Sequence, residues 1–255
     1  MSKKAKSSIA RNNRFQFLDF LRGILLLNMI AYHAVWDLVY LFNINCGWFY
    51  GQGSYVWQQA ICIGFILLSG FCWSLGKNPF SRGCTVLASG FLITAVTAVF
   101  MPEQTIVFGI LTLIGSGMVL MVPLERVLER LSPLAGILLS LLLFVITRNI
   151  NQGTLGVETV CAVNLPKAFY HGLPAAYLGF PSADFYSSDY FPLFPWIFLF
   201  FCGYFFSRLT HYQKFSWMQF GFAPINNIGR NSLLIYMFHQ PVLYVFFMAL
   251  LQILG

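Results

Sequence analysis

The stretch Phe17–Phe42, FLDFLRGILLLNMIAYHAVWDLVYLF, decides how the chain is read. It exceeds the roughly 20 residues that a helix needs to cross a bilayer core about 30 Å thick. Asp19, Arg22, Asn28, His33 and Asp37 lie inside this otherwise apolar run. It lacks a small-residue cleavage site, so it reads as a retained membrane helix rather than a signal peptide. The rest of the 255-residue chain requires the same solvent, with 58% apolar and 9% charged residues. Soluble domains carry about 25% charged residues, and a water-facing surface cannot be built from so few. The 18% aromatic content suits membrane interfaces, where Trp and Tyr concentrate.

The expectation is an all-α polytopic membrane protein. Seven stretches read as spans: about 17–42, 55–76, 83–101, 105–123, 133–148, 191–208 and 228–253. Residues 1–16 form a basic cytoplasmic N-terminus, and 17–255 one transmembrane domain. Orientation follows from Lys and Arg, which favour the cytoplasmic side. Lys3, Lys4, Lys6, Arg11 and Arg14 precede the first span. Lys77 and Arg82, then Arg126 and Arg130, then Arg208, Lys214 and Arg230 fall in every second connection, whereas the alternate ones hold only Arg148 and Lys167. Seven spans thus leave the N-terminus inside and the C-terminus outside. No internal repeat of the inverted-transporter kind is evident.

The formal charge of +7 is spread over the N-terminus and short loops. No basic helix with interleaved aromatics occurs, which excludes a nucleic-acid partner. The six cysteines show no metal-binding spacing, so no metal is expected. Cys62, Cys72, Cys84 and Cys202 read as small packing residues. Cys46 and Cys161 fall in two outer loops, either paired or free. The outer loop at about 149–190 holds Tyr170, His171, Pro174, Tyr177, Pro181, Asp184, Tyr186 and Asp189. So long a connection, rich in aromatics and Pro, reads as an ordered cap.

Helical spacing turns the polar residues of the first span into a stripe. His33 follows Arg22 by eleven positions, three turns plus about 20°, so the two share a face about 16 Å apart along the axis. Asp37 lies one turn beyond His33, and Asp19 one turn before Arg22. Each ionisable group in a membrane helix costs at least a few kcal/mol and faces protein or a wet cavity. A purely structural reading pairs Asp19 with Arg22 and uses His33 to bridge helices. The functional reading takes Asp37 as the group that fixes the His33 tautomer and stabilises its imidazolium, as a general base requires. The last span repeats the theme with Arg230, Asn231 and Ser232 at its base, then Tyr236, His239, Gln240 and Pro241.

Arg22, ten residues and His33 match the Arg-x10-His pattern of transmembrane acyltransferases. The segments Leu18-Asp19-Phe20-Leu21-Arg22-Gly23, Met29-Ile30-Ala31-Tyr32-His33 and Asp37-Leu38 narrow the likeness. Phe65–Gly70, Phe108–Leu111, Asp189-Tyr190-Phe191-Pro192-Leu193-Phe194-Pro195-Trp196, Gly229–Tyr236 and His239-Gln240-Pro241 complete an ordered series. Together they resemble the catalytic-domain family of heparan-α-glucosaminide N-acetyltransferase and its small bacterial relatives, over nearly the whole chain after residue 14. Those relatives commonly carry His after Phe-Gly-Ile-Leu, where this chain has Thr112, which cannot act as a base near neutral pH.

The resemblance implies acetyl transfer from cytoplasmic acetyl-CoA to an amine or hydroxyl of a carbohydrate or cell-envelope acceptor. His33 is then the general base or a transient acetyl carrier, with Asp37 beside it. Asp19, Arg22, Arg230 and Ser232 form the CoA end, with Lys77 and Arg82 as further cations. Asp189, Tyr190, His239 and Gln240 flank the acceptor. A multi-pass protein of a cell membrane is implied, with a bacterial inner membrane as the expected site and a homodimer admissible. The alternatives are a proton-coupled transporter using the same Asp, Arg and His groups, and a non-enzymatic membrane partner whose polar groups only join helices.

Overall fold

A computed structural model describes residues 15–157, 161–210 and 220–254. The basic residues up to Arg14, and Lys214, lie outside them. The described chain is mostly helical, with one β-hairpin. Helices α1 (Gln16–Tyr40), α2 (Gln52–Phe71), α3 (Pro79–Phe100), α4 (Ile110–Leu128) and α5 (Pro133–Thr147) come first. Strands β1 (Thr154–Val157) and β2 (Cys161–Asn164) pair antiparallel, with Leu155 opposite Val163, an addition to the all-α expectation. Helices α6 (Gly172–Leu178), α7 (Leu193–Leu209), α8 (Ala223–Arg230) and α9 (Ser232–Leu254) complete the order.

Against the seven spans expected, six helical segments among the described residues are long and apolar enough to cross a membrane: Gln16–Tyr40, Gln52–Phe71, Pro79–Phe100, Ile110–Leu128, Pro133–Gln152 and Ser232–Ile253. The stretch expected at 191–208 forms α7, an apolar helix of 17 residues. The stretch expected at 105–123 begins five residues later and runs through Pro123 to Leu128. Its first residues are held out of the helix by residues 187–191. Ser188 N–H donates to the Thr105 carbonyl, Phe191 N–H to the Phe108 carbonyl, and Val107 N–H to the Ser187 hydroxyl. Phe108 adopts a left-handed φ of 57° at this junction.

Two compact units make up the chain, one drawn from Met1–Ile61 and Gln213–Gly255, the other from Cys62–Tyr212. In the first, α8 lies directly on the start of α1. A Cβ at Gly229 would sit 1.8 Å from the Asp19 carbonyl oxygen and 2.9 Å from the Gly23 nitrogen, so only glycine permits this approach. The ring of Phe220 meets Phe20 edge-on at 5.5 Å. The span expected at 228–253 is broken at Asn231, which leaves helical geometry at φ −101°, ψ 22°. Gly229 and Asn231 are weak helix formers, and the Asn231 amide donates to the Asn227 carbonyl, ending α8 with its own side chain. Pro241 lies inside α9 without ending it.

In the second unit, small residues again set the helix spacing. A Cβ at Gly70 of α2 would lie 2.0 Å from the Phe200 carbonyl oxygen of α7. Tyr204, Phe200 and Phe205 of α7 are fully buried. Arg208, at the end of α7, donates to the carbonyls of Leu128, Glu129 and Leu131, satisfying the open end of α4. The long connection is folded on itself: the Tyr170 hydroxyl donates to the Ile150 carbonyl, and the Phe108 ring packs against Tyr177 and Phe185. Cys46, Cys62, Cys84 and Cys202 are free thiols, and the side chain of Cys161 lies outside the described residues.

The approach of α8 to α1 yields opposite signs for two glycine substitutions. Gly229→Ala is expected to cost about 1–3 kcal/mol by overpacking. Gly53→Ala, with nothing within 4 Å of its Cβ position, is expected to be neutral or to stabilise α2 by up to about 1 kcal/mol. Unfolding of the detergent-solubilised variants measures both.

Candidate functional site

The polar stripe of α1 meets two partners within the first unit. At its start, Asp19 is 2% exposed and receives two guanidinium groups. Arg22 Nη1 donates to Asp19 Oδ1 at 3.1 Å, and Arg230 Nε to Asp19 Oδ2 at 3.2 Å. The close packing at Gly229 delivers Arg230 here from the end of α8. Ser232 opens α9 and is half-buried. One carboxylate between two guanidinium groups leaves a net charge of +1. The arginine side chains are 25% and 29% exposed, and each guanidinium retains N–H donors. This arrangement suits an anion such as a phosphate.

Farther along α1, the His33 ring lies 4.8 Å from the His239 ring, centroid to centroid, with a 55° tilt. His239 Nδ1 is 2.5 Å from the Tyr236 carbonyl oxygen. His33 Nδ1 and His239 Nε2 are buried without a hydrogen-bond partner. Asp37, 1% exposed, accepts from the Gln240 amide at 3.3 Å, and its Oδ2 has no partner. Asp37 therefore forms no hydrogen bond with His33, against the expected tautomer-fixing role. At i+4 the two share a face, but Gln240 takes the carboxylate oxygen instead.

The first unit thus brings together Asp19, Arg22 and Arg230 at one level, and His33, His239, Asp37 and Gln240 at another. Sequence spacing missed the Tyr236 carbonyl, because a backbone acceptor carries no residue signature. It also missed the role of Asn28, whose side-chain Oδ1 accepts from the Trp57 indole N–H at 3.3 Å. The buried aromatic Phe49 beside Tyr32 is a further wall of this region.

Asp189 and Tyr190 belong to the second unit, with Lys77, Arg82 and Thr112. The Asp189 carboxylate accepts from the Ile110 backbone N–H and caps the start of α4, and a Cβ at Gly109 would lie 3.3 Å from its Oδ2. Burial lifts its carboxyl from the ordinary 3.8 to about 6, an effect partly offset by the Ile110 N–H. The Tyr190 hydroxyl donates to the Ala176 carbonyl, and burial pushes its phenol up. Both side chains hold the shape of the long connection. Thr112 is buried with its hydroxyl oxygen unpartnered. Among the described residues, no group of three or more His, Cys, Asp or Glu is arranged to hold a metal ion.

Residues 14–241 match the family model described as "Heparan-alpha-glucosaminide N-acetyltransferase, catalytic". No curated protein and no solved structure matches the chain.

The environment of Asp189 predicts a pH effect of definite sign. A carboxyl raised on folding favours the folded state most at low pH, and that contribution is lost as pH rises through about 6. The melting temperature of wild type relative to Asp189→Asn should therefore fall between about pH 4 and pH 7. A difference constant over that range would show that the carboxyl titrates alike in folded and unfolded protein.

Proposed function

The chain belongs to the catalytic-domain family of heparan-alpha-glucosaminide N-acetyltransferase, a family of membrane acetyltransferases, and from this premise we propose that it moves an acetyl group from cytoplasmic acetyl-CoA to an amine or hydroxyl acceptor. The carrying observation is that one unit holds both a doubly cationic anchor, Arg22 and Arg230 on Asp19, and a close imidazole pair, His33 and His239, each with one buried, unpartnered nitrogen.

The two levels suit the two ends of the donor. CoA carries phosphates at one end and a thioester at the other, joined by a long flexible arm. Arginine forks bind phosphate by paired, charge-assisted hydrogen bonds. About 16 Å of helix axis separates Arg22 from His33, which a pantetheine arm can span. Ser232 supports the anion end. At the other end, His33 serves as base or transient acetyl carrier, and Asp37, held by Gln240, polarises the surroundings of the reacting carbonyl. The family resemblance adds Asp189 and Tyr190 as acceptor residues. The family description names a glucosaminide acceptor and N-acetyl transfer, which makes an amino sugar or related envelope carbohydrate the first acceptor to try.

In this reading the protein crosses a cell membrane seven times, with α7 as a short span, the N-terminus cytoplasmic and the C-terminus outside. The alternation of Lys and Arg supports that orientation. A bacterial inner membrane and a homodimer belong to the same proposal. Family membership gives the transporter reading no support.

The test combines binding and turnover. Native mass spectrometry of the purified protein should retain CoA at saturating acetyl-CoA, and its absence would count against the proposal. Arg22→Ala and Arg230→Ala should each raise KM for acetyl-CoA about tenfold or more, the loss of a charge-assisted hydrogen bond. His33→Ala should lower kcat by roughly 10²- to 10⁴-fold with the fold intact, and full activity in that variant would remove His33 from the mechanism.

A further inference from the structure

We infer that His239, rather than His33, takes the proton of the attacking acceptor, and that the Tyr236 carbonyl is what prepares it for this. The inference rests on the acetyl-transfer reading and revises one part of it: the base role given there to His33 passes to His239, and transfer to the acceptor is direct.

The two imidazoles differ in their partners. His239 Nδ1 lies 2.5 Å from the Tyr236 carbonyl oxygen. A carbonyl only accepts, so Nδ1 carries the hydrogen of the neutral ring, and Nε2 is left with a bare lone pair. That Nε2 is buried and has no hydrogen-bond partner. Protonation there converts the Nδ1–H bond to Tyr236 into a charge-assisted one, which is stronger. The new positive charge is therefore met by an acceptor already in place, without rearrangement.

His33 has no such support. Its Nδ1 is buried without a partner, and Asp37 is engaged by Gln240 rather than by His33. No described carbonyl or carboxylate fixes the His33 tautomer or shares the charge of its imidazolium. A proton is thus better received 4.8 Å away, on the neighbouring ring. His33 is left to contact the thioester carbonyl.

The step balances as follows. The acceptor nitrogen or oxygen bonds to the acetyl carbonyl carbon while the carbon–sulfur bond of acetyl-CoA breaks. The acceptor's proton passes to His239 Nε2 and then to the departing thiolate, giving free CoA thiol, acetylated acceptor and neutral His239.

The test compares two acceptors on the full chain in nanodiscs with acetyl-CoA. Glucosamine needs a base during attack, whereas hydroxylamine is neutral near pH 7 and needs little help. H239Q should lose roughly 10²- to 10⁴-fold in kcat with glucosamine but less than about tenfold with hydroxylamine. Its affinity for acetyl-CoA should be unchanged. Added imidazole should restore activity to H239A and not to His33→Ala, a result that no folding defect imitates. H239Q within about threefold of wild type on glucosamine, a factor worth under 1 kcal/mol, would overturn the inference. So would an equal loss on both acceptors with acetyl-CoA binding retained. A wild type that binds no acetyl-CoA would remove the underlying reading as well, which separates the two failures.

Discussion

Asp19 is the charge on which the first unit is organised. A carboxylate 2% exposed at the start of a membrane helix is tolerable only when paired, and two guanidinium groups pair with it. One comes from its own helix, one turn away. The other comes from the end of α8, which reaches Asp19 only because Gly229 and Gly23 let two backbones nearly touch. The glycines, the short helix and the ion pair are therefore one device. The break at Asn231 then directs α9 so that His239 and Gln240 meet the upper part of α1.

The upper group follows a different economy. Around Asp19 each oxygen has a donor, whereas around His33 several buried polar atoms have none. Buried polar groups are normally hydrogen-bonded, and an orphan costs about 1–3 kcal/mol. A concentration of such atoms in one place, on two helices, is what a site awaiting polar substrate atoms has. Within a single unit, a satisfied lower cluster thus stands beside an unsatisfied upper one, and the proposed anchor and reaction centre rest on that contrast.

Much of this was legible in the sequence, for identifiable reasons. Helical periodicity fixes which residues of one helix share a face, so the order Asp19, Arg22, His33, Asp37 was readable from spacing alone. Composition fixed the solvent. What spacing does not encode is the partner chosen across helices. Asp37 is one turn from His33 yet bonds to Gln240, and Asp189 caps α4 through a backbone N–H rather than standing free. The later start of α4 came from the same source: residues 105–109 are apolar enough to be helical, but hydrogen bonds from 187–191 take their backbone groups. The glycine contact that splits the last span was visible only as a Gly-Arg-Asn-Ser string, whose meaning depends on what packs against it.

The pairings Asp19–Arg230 and Asp37–Gln240 join residues 211 and 203 positions apart. Contacts so distant in sequence form late and slowly, because loop-closure entropy must be overcome before they stabilise anything. A ribosome has released α1 into the bilayer long before α8 and α9 exist. Through most of synthesis Asp19 and Asp37 lack these partners, and the His33 ring stands without its neighbour. The proposed centre is therefore assembled only when the final helix arrives, and a chain stopped short of that helix lacks His239 and Gln240 altogether.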